Sequence, residues 1–147
     1  MINVSTIMIQ VQEWLETDFE LDGATVERSE FVNEDAGRAR NGWIGIYRRG
    51  VDYDPRNLGV PPNNYDADLS FGIIAQMSRL ASGADCEDAL EAFTKRIIDR
   101  VVQIPRTYLD HFASISVEYT YLEDDRKTMY FQGAIITFEA EVSFEVK

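Results

Sequence analysis

Two runs of strict alternation near the C-terminus restrict this chain more than any other feature. From Ser114 to Leu122, Ile115, Val117, Tyr119 and Tyr121 fall on one side, and Ser116, Glu118 and Thr120 on the other. From Thr128 to Val146, Ile136, Phe138, Ala140, Val142, Phe144 and Val146 alternate with Thr137, Glu139, Glu141, Ser143 and Glu145. A side-chain period of two belongs to a β-strand with one buried and one wet face. The charged segment Glu123–Lys127 between the runs makes them an antiparallel hairpin whose outer face is polar and acidic.

An apolar face needs a cover, and two helical stripes supply it. Val4, Ile7, Met8, Val11, Trp14, Leu15 and Phe19 recur at steps of three and four, which predicts a helix over 5–19 capped by Ser5 or Asn3. Cys86, Leu90, Phe93, Ile97, Val101 and Ile104 make a second stripe, with Ala89, Ile98 and Val102 widening it. Ser82-Gly-Ala-Asp85 reads as its capping box, and Pro105 as its stop. Lys95, Arg96 and Arg100 lie toward its C-terminal half, where the helix dipole favours cations.

Three more strands are expected. Residues 24–31 predict an edge strand. Residues 43–48 predict a central one, with Trp43 and Tyr47 on one face and Ile44 and Ile46 on the other. Residues 68–77 alternate around Leu69, Phe71, Ile73 and Ala75. Residues 33–41 read as a loop or short helical turn, and 107–112 as a short connector or helical turn. The order is α-β-β-β-α-β-β. It predicts an α+β domain with one antiparallel or mixed sheet and two main helices on one face. Residues 49–66, punctuated by Gly50, Pro55, Gly59, Pro61 and Pro62, show no period and predict a long loop after the second strand.

The 147 residues suffice for a single domain with its own core, over 1–147. With 26 acidic and 14 basic side chains the formal net charge is −12, which disfavours tight nucleic-acid binding but not passage of DNA past a non-sticking wall. The lone Cys86 excludes an internal disulfide framework. Neither a signal peptide nor an apolar run of about 20 residues is visible, so no membrane contact is expected.

Chemistry-bearing groups are few. Cys86 lies in the first turn of the second helix, a position that lowers a thiol pKa, although packing on the buried stripe is the commoner use. His111, between Asp110 and Phe112, is the only imidazole. Asp52-x-Asp54, Asp66-x-Asp68 and Glu123-Asp-Asp125 are too short for a calcium loop, and one Cys with one His cannot make a zinc site. No phosphate-cradling glycine motif is present. The expectation is no enzyme, no metal and no cofactor. What remains is contact surface. Tyr47, Arg48, Arg49, Tyr53 and Arg56 cluster aromatic rings and guanidiniums in an otherwise acidic chain. Glu139 and Glu141 mark the acidic hairpin face that such an arm would meet on a second copy.

The ordered features resemble one family, the tail terminator (tail completion) proteins of long-tailed bacteriophages. They are the N-terminal helix, Asn41-Gly-Trp-Ile-Gly-Ile-Tyr47, Tyr53-Asp-Pro-Arg56-Asn-Leu-Gly59, the strand around Phe71–Ala75, Ser82-Gly-Ala-Asp-Cys-Glu-Asp-Ala-Leu90-Glu91 and the C-terminal hairpin. The resemblance implies a hexameric ring that caps the tail tube, stops its polymerisation and presents the tail to the head. The implied partners are further copies, the major tail tube protein and a head-completion or neck protein, with DNA passing through the lumen unbound. It implies a place in the virion tail and neck, reached by assembly in the host cytoplasm. By resemblance Arg48, Arg49, Tyr53 and Arg56 would touch a neighbouring subunit or the tube. Gly59–Tyr65 is longer and richer in Pro than the family pattern. A head–tail connector of similar fold is the alternative. A small hydrolase or ligand-binding domain using His111 and the acidic face is the reading from another class.

Overall fold

The computed structural model describes residues 3–53, 64–106, 109–123 and 129–145. Seven main elements follow one another: α1 (Val4–Phe19), β1 (Thr25–Arg28), β2 (Trp43–Tyr53), β3 (Asn64–Arg79), α2 (Gly83–Val102), β4 (Leu109–Leu122) and β5 (Tyr130–Glu145). A 3-10 turn over Ala36–Ala39 interrupts the connection from β1 to β2. The five strands form one sheet in the order β1-β2-β3-β5-β4. β1 runs parallel to β2, and every other pairing is antiparallel. The α+β class, the element order and the single mixed sheet are as the alternation predicts.

The helices begin where their caps dictate. The Asn3 side chain accepts from the Thr6 backbone N–H at 2.9 Å, which makes Asn3, not Ser5, the cap of α1. Ser82 accepts from Asp85 N–H at 3.0 Å and opens α2. Ile7, Met8, Val11, Leu15 and Phe19 are fully buried. At about 1.5–3 kcal/mol for each side chain, that stripe contributes on the order of 10 kcal/mol of apolar burial. Phe19 meets Phe93 of α2 edge-on at 5.4 Å. Arg96 and Arg100 do more than complement the α2 dipole. Arg100 lies 3.5 Å from the Trp14 ring centre and donates to Trp14 O, while Trp14 Nε1 donates to Arg100 O at 2.7 Å. Arg96 covers the Phe19 ring at 4.2 Å and pairs with Asp18 and Asp22. These two arginines fasten α1 to α2.

The core lies between the helices and one sheet face, where Ile44, Ile46, Ile73, Ala75, Ile136 and Phe138 are buried. The opposite face has its own small cluster at one end, built from Trp43, Ile74 and Phe131 under Ala36 and Ala39. Buried polar groups hold that cover down. The Gln76 amide accepts from Asn33 N–H at 3.1 Å and donates to Asn33 O at 3.0 Å. Ser78 Oγ donates to Ala36 O at 2.6 Å. Gly42 leads into β2 at φ +100°, where a Cβ would lie 2.4 Å from the Phe93 ring, so only glycine fits.

Two expectations change. β2 runs on to Tyr53 and β3 starts at Asn64, so residues 49–53 and 64–66 of the expected unperiodic loop belong to strands, while residues 54–63 lie outside the described residues. The register slips between Arg48 and Gly50. One bulge residue breaks the alternation, and carboxylates at the outward positions Asp52 and Asp66 then resemble a polar loop. Likewise His111 and Phe112 belong to β4 rather than to a connector, hidden by register slips between Leu109 and His111 and between Phe112 and Ser114.

Replacing Gln76 by Leu removes both partners of a buried backbone N–H and C=O. The expected loss is about 2–4 kcal/mol in urea-induced unfolding, with the slope of the transition unchanged.

Candidate functional site

The far half of the sheet positions the site. β1 pairs with β2 only from Trp43 to Ile46, so β2 continues from Tyr47 to Tyr53 with β3 on one side and no described strand on the other. Arg48 keeps the register of Ile44 and Ile46, the helix side. Beyond it the bulge sends Arg49 across the bare face, where Nη1 donates to Thr137 Oγ1 of β5 at 2.9 Å. Two consecutive arginines thus serve opposite faces of one strand. Tyr53 is half exposed at the end of β2 and pairs in register with Ala67. Arg56 lies outside the described residues.

The bare face is acidic. Asp52, Asp68 and Glu141 stand side by side across β2, β3 and β5, and His111 of β4 completes the row. Asp52, Asp68, Glu139 and Glu141 wall a shallow depression of about 420 Å³ floored by Gly50 and Ser70. Neighbouring hydroxyls are already used. Ser114 donates to Glu139 at 2.9 Å, and Ser143 stands 3.0 Å from Asp66 and 3.1 Å from Asp110. His111 Nδ1 lies 3.5 Å from Glu141 Oε2, with both side chains about half exposed. Like charges at adjacent strand positions repel, and open solvent screens them. Among the described residues no set of three carboxylate, imidazole or thiol groups is placed to hold a metal ion.

The structure therefore brings Arg49, Glu139 and Glu141 onto one face of the same subunit. Arg49 remains exposed and makes a hydrogen bond to Thr137 within its own chain. Arg48 is left on the other side of the sheet.

Cys86 departs from the expected lowered pKa. The side chain is fully buried, with Sγ 3.4 Å from Met77 O and 3.5 Å from Tyr130 O. Burial pushes the thiol pKa up, against a smaller opposing effect of Arg79, and desolvation outweighs the helix N-terminus. Cys86 packs as a small apolar residue. His111 stands on a strand facing a carboxylate, and no described hydroxyl or thiol hydrogen-bonds to it.

A second feature escapes the sequence pattern. Tyr119 and Tyr121 take helix-side positions on β4 but are 55% and 75% exposed. α2 packs over β3 and β5 and stops short of the edge strand. Between α2 and β4 is a groove of about 360 Å³, with Leu90 and Gln132 beneath, Glu87 and Glu91 at the rim, and the two tyrosines along the wall. The Tyr121 hydroxyl donates to Glu87 at 2.7 Å, which pushes the phenol pKa up. At the other end of the sheet Phe31 is 73% exposed. Alternation alone assigned Tyr119 and Tyr121 to the interior, because period two says which face a residue takes but not whether that face is covered.

Among the described residues, fold and surface together define a single-sheet α+β domain with one helix-covered face, one largely bare acidic face, and β1 and β4 as its edge strands. No protein-family model matches the sequence, and no curated protein matches it either.

At pH 8 the native Cys86 thiol is expected to react with iodoacetamide more than about 100-fold more slowly than in urea, since reaction requires both opening of the core and deprotonation. Mass spectrometry of the alkylated chain reads this directly.

Proposed function

We propose that the chain is a structural assembly protein: a subunit of a ring that caps a phage tail tube, ends its polymerisation and forms the surface to which the head joins. The observation that carries this reading is the bare sheet face with Asp52, Asp68, Glu139 and Glu141 in adjacent rows. A sheet of extended strands left uncovered on one face is a wall, and its fixed negative charge repels a phosphate backbone. In a ring whose lumen is lined by this face, DNA slides through without sticking. The resemblance in element order to tail terminator proteins supports the same reading. Its partners are further copies of the chain, the tube protein and a neck protein, and its place is the virion tail and neck. No cofactor enters this role. A head–tail connector uses the same surfaces, and only the adjoining protein distinguishes the two.

Light scattering on the eluting protein tests the first step. The expected species at high concentration is a hexamer of 16.8 kDa chains, with rings in negative stain that cap tubes of the cognate tail protein. A strict monomer at the highest soluble concentration overturns the proposal, as does a ring that leaves the tubes free to grow. The charge of the face is tested separately. The wild type should not retard DNA at 50 mM salt. The variant Asp68→Lys/Glu139→Lys/Glu141→Lys should bind it, with a log–log salt slope of roughly −0.9 for each phosphate contacted. DNA binding by the wild type would contradict a non-sticking lumen.

A further inference from the structure

The two ends of the sheet are unlike each other. At the β4 end lies the groove between α2 and β4, walled by Tyr119 and Tyr121, with Leu90 beneath and Glu87 and Glu91 at the rim. At the β1 end Phe31 projects into solvent beside Arg28 and Arg48, the three residues bordering one shallow depression. The Phe31 backbone is held at both its polar groups. Ser29 Oγ accepts from Phe31 N–H at 3.2 Å and donates to Phe31 O at 2.9 Å. Two residues on, the buried Gln76 amide holds Asn33 at both its N–H and its C=O. A large exposed aromatic ring presented by a rigid turn is an interface anchor, because little conformational entropy is lost when it docks. Exposed Val32 extends its apolar area.

We propose that the Phe31 turn of one copy inserts into the Tyr119–Tyr121 groove of the next, with Arg28 and Arg48 meeting Glu87 and Glu91. Charge complementarity selects the occupant. The groove rim carries two carboxylates, and the Phe31 turn carries two guanidiniums that form no ion pair with a described residue. Glu30 sits beside Phe31, and Lys95 lies one helical turn beyond Glu91, so each surface keeps one charge of the opposite sign. The two guanidiniums and two carboxylates still outnumber them. A pairing of two identical grooves would instead set Glu87 and Glu91 against their own copies. Because the two surfaces differ and lie at opposite edges of the sheet, the contact is head-to-tail. Such a contact closes a ring when the rotation per subunit allows. The proposal deepens the ring reading by naming the contact, and rests on it.

Three exposed-residue variants test it by light scattering: Arg28→Glu/Arg48→Glu, Glu87→Arg/Glu91→Arg, and all four together. Each double variant keeps one intact surface. Alone, each should be monomeric, with self-affinity reduced at least about 100-fold. Mixed one to one they should assemble again with the two variants alternating, since the unaltered groove meets the unaltered turn at one contact and the charge-swapped turn meets the charge-swapped groove at the next. The fourfold variant, with both charges swapped, should assemble again. Phe31→Ala should weaken assembly by about 30-fold. Circular dichroism and thermal unfolding establish that each variant is folded. Rings formed by either double variant alone overturn this contact and leave the ring reading standing. Folded double variants that fail to pair on mixing also overturn it. A wild type that never self-associates ends both proposals. A wild type that assembles through this contact yet does not cap tubes ends only the tail reading.

Discussion

The β3–β5 ladder is the interaction on which the rest of the structure depends. The two 16-residue strands pair along their whole length, from Asn64 opposite Glu145 to Arg79 opposite Tyr130. Because register fixes which face every side chain takes, this pairing places Phe71, Ile73, Phe138 and Ala140 together on the helix side. It puts Asp68, Ser70, Glu139 and Glu141 together on the other. A slip of one residue would bury the carboxylates and expose the phenylalanines. Phe71 and Phe138, stacked at 5.0 Å, lock the correct register from the core side. β2 and β4 then add to the outer edges of a ladder already aligned.

The helices complete this frame unevenly, and the uneven cover creates the surface. α1 and α2 run antiparallel, joined by the Trp14–Arg100 and Phe19–Arg96 contacts. Together they cover β1, β2, β3 and β5 but leave β4 short of a roof. The α2–β4 groove is the consequence. On the opposite face the 33–39 segment covers only the Trp43 end of the sheet, held by Gln76 and Ser78. The rest of that face carries the acidic rows. Within a net charge of −12, carboxylates gather on the bare sheet wall and the groove rim, and Arg28 and Arg48 flank the Phe31 turn.

Much of this was legible from residue order. The helical stripes, the Ser82 cap, the two-faced strand from Trp43 to Tyr47 and the acidic side of β5 all follow from periods of 3.6 and 2. The far half of the β2–β3 hairpin was not. There a bulge at Arg49 shifts the alternation by one, and the outward positions Asp52 and Asp66 imitate a loop. The same bulge lays Arg49 over its own sheet, within hydrogen-bond reach of Thr137. Cys86 was expected to gain acidity from the helix terminus, but its burial acts more strongly.

Local pattern determined the element types, their order and the polarity of each face, because those properties depend on neighbours a few residues away. Only the tertiary structure decided which faces are covered. Strand order put β4 at an edge beyond the reach of α2, so Tyr119 and Tyr121, apolar-side by pattern, stand in solvent. The same strand order set Phe31 with Arg28 and Arg48 at the opposite edge from Glu87 and Glu91. Those distances are set by packing among residues far apart in the chain, and no period in the sequence encodes them.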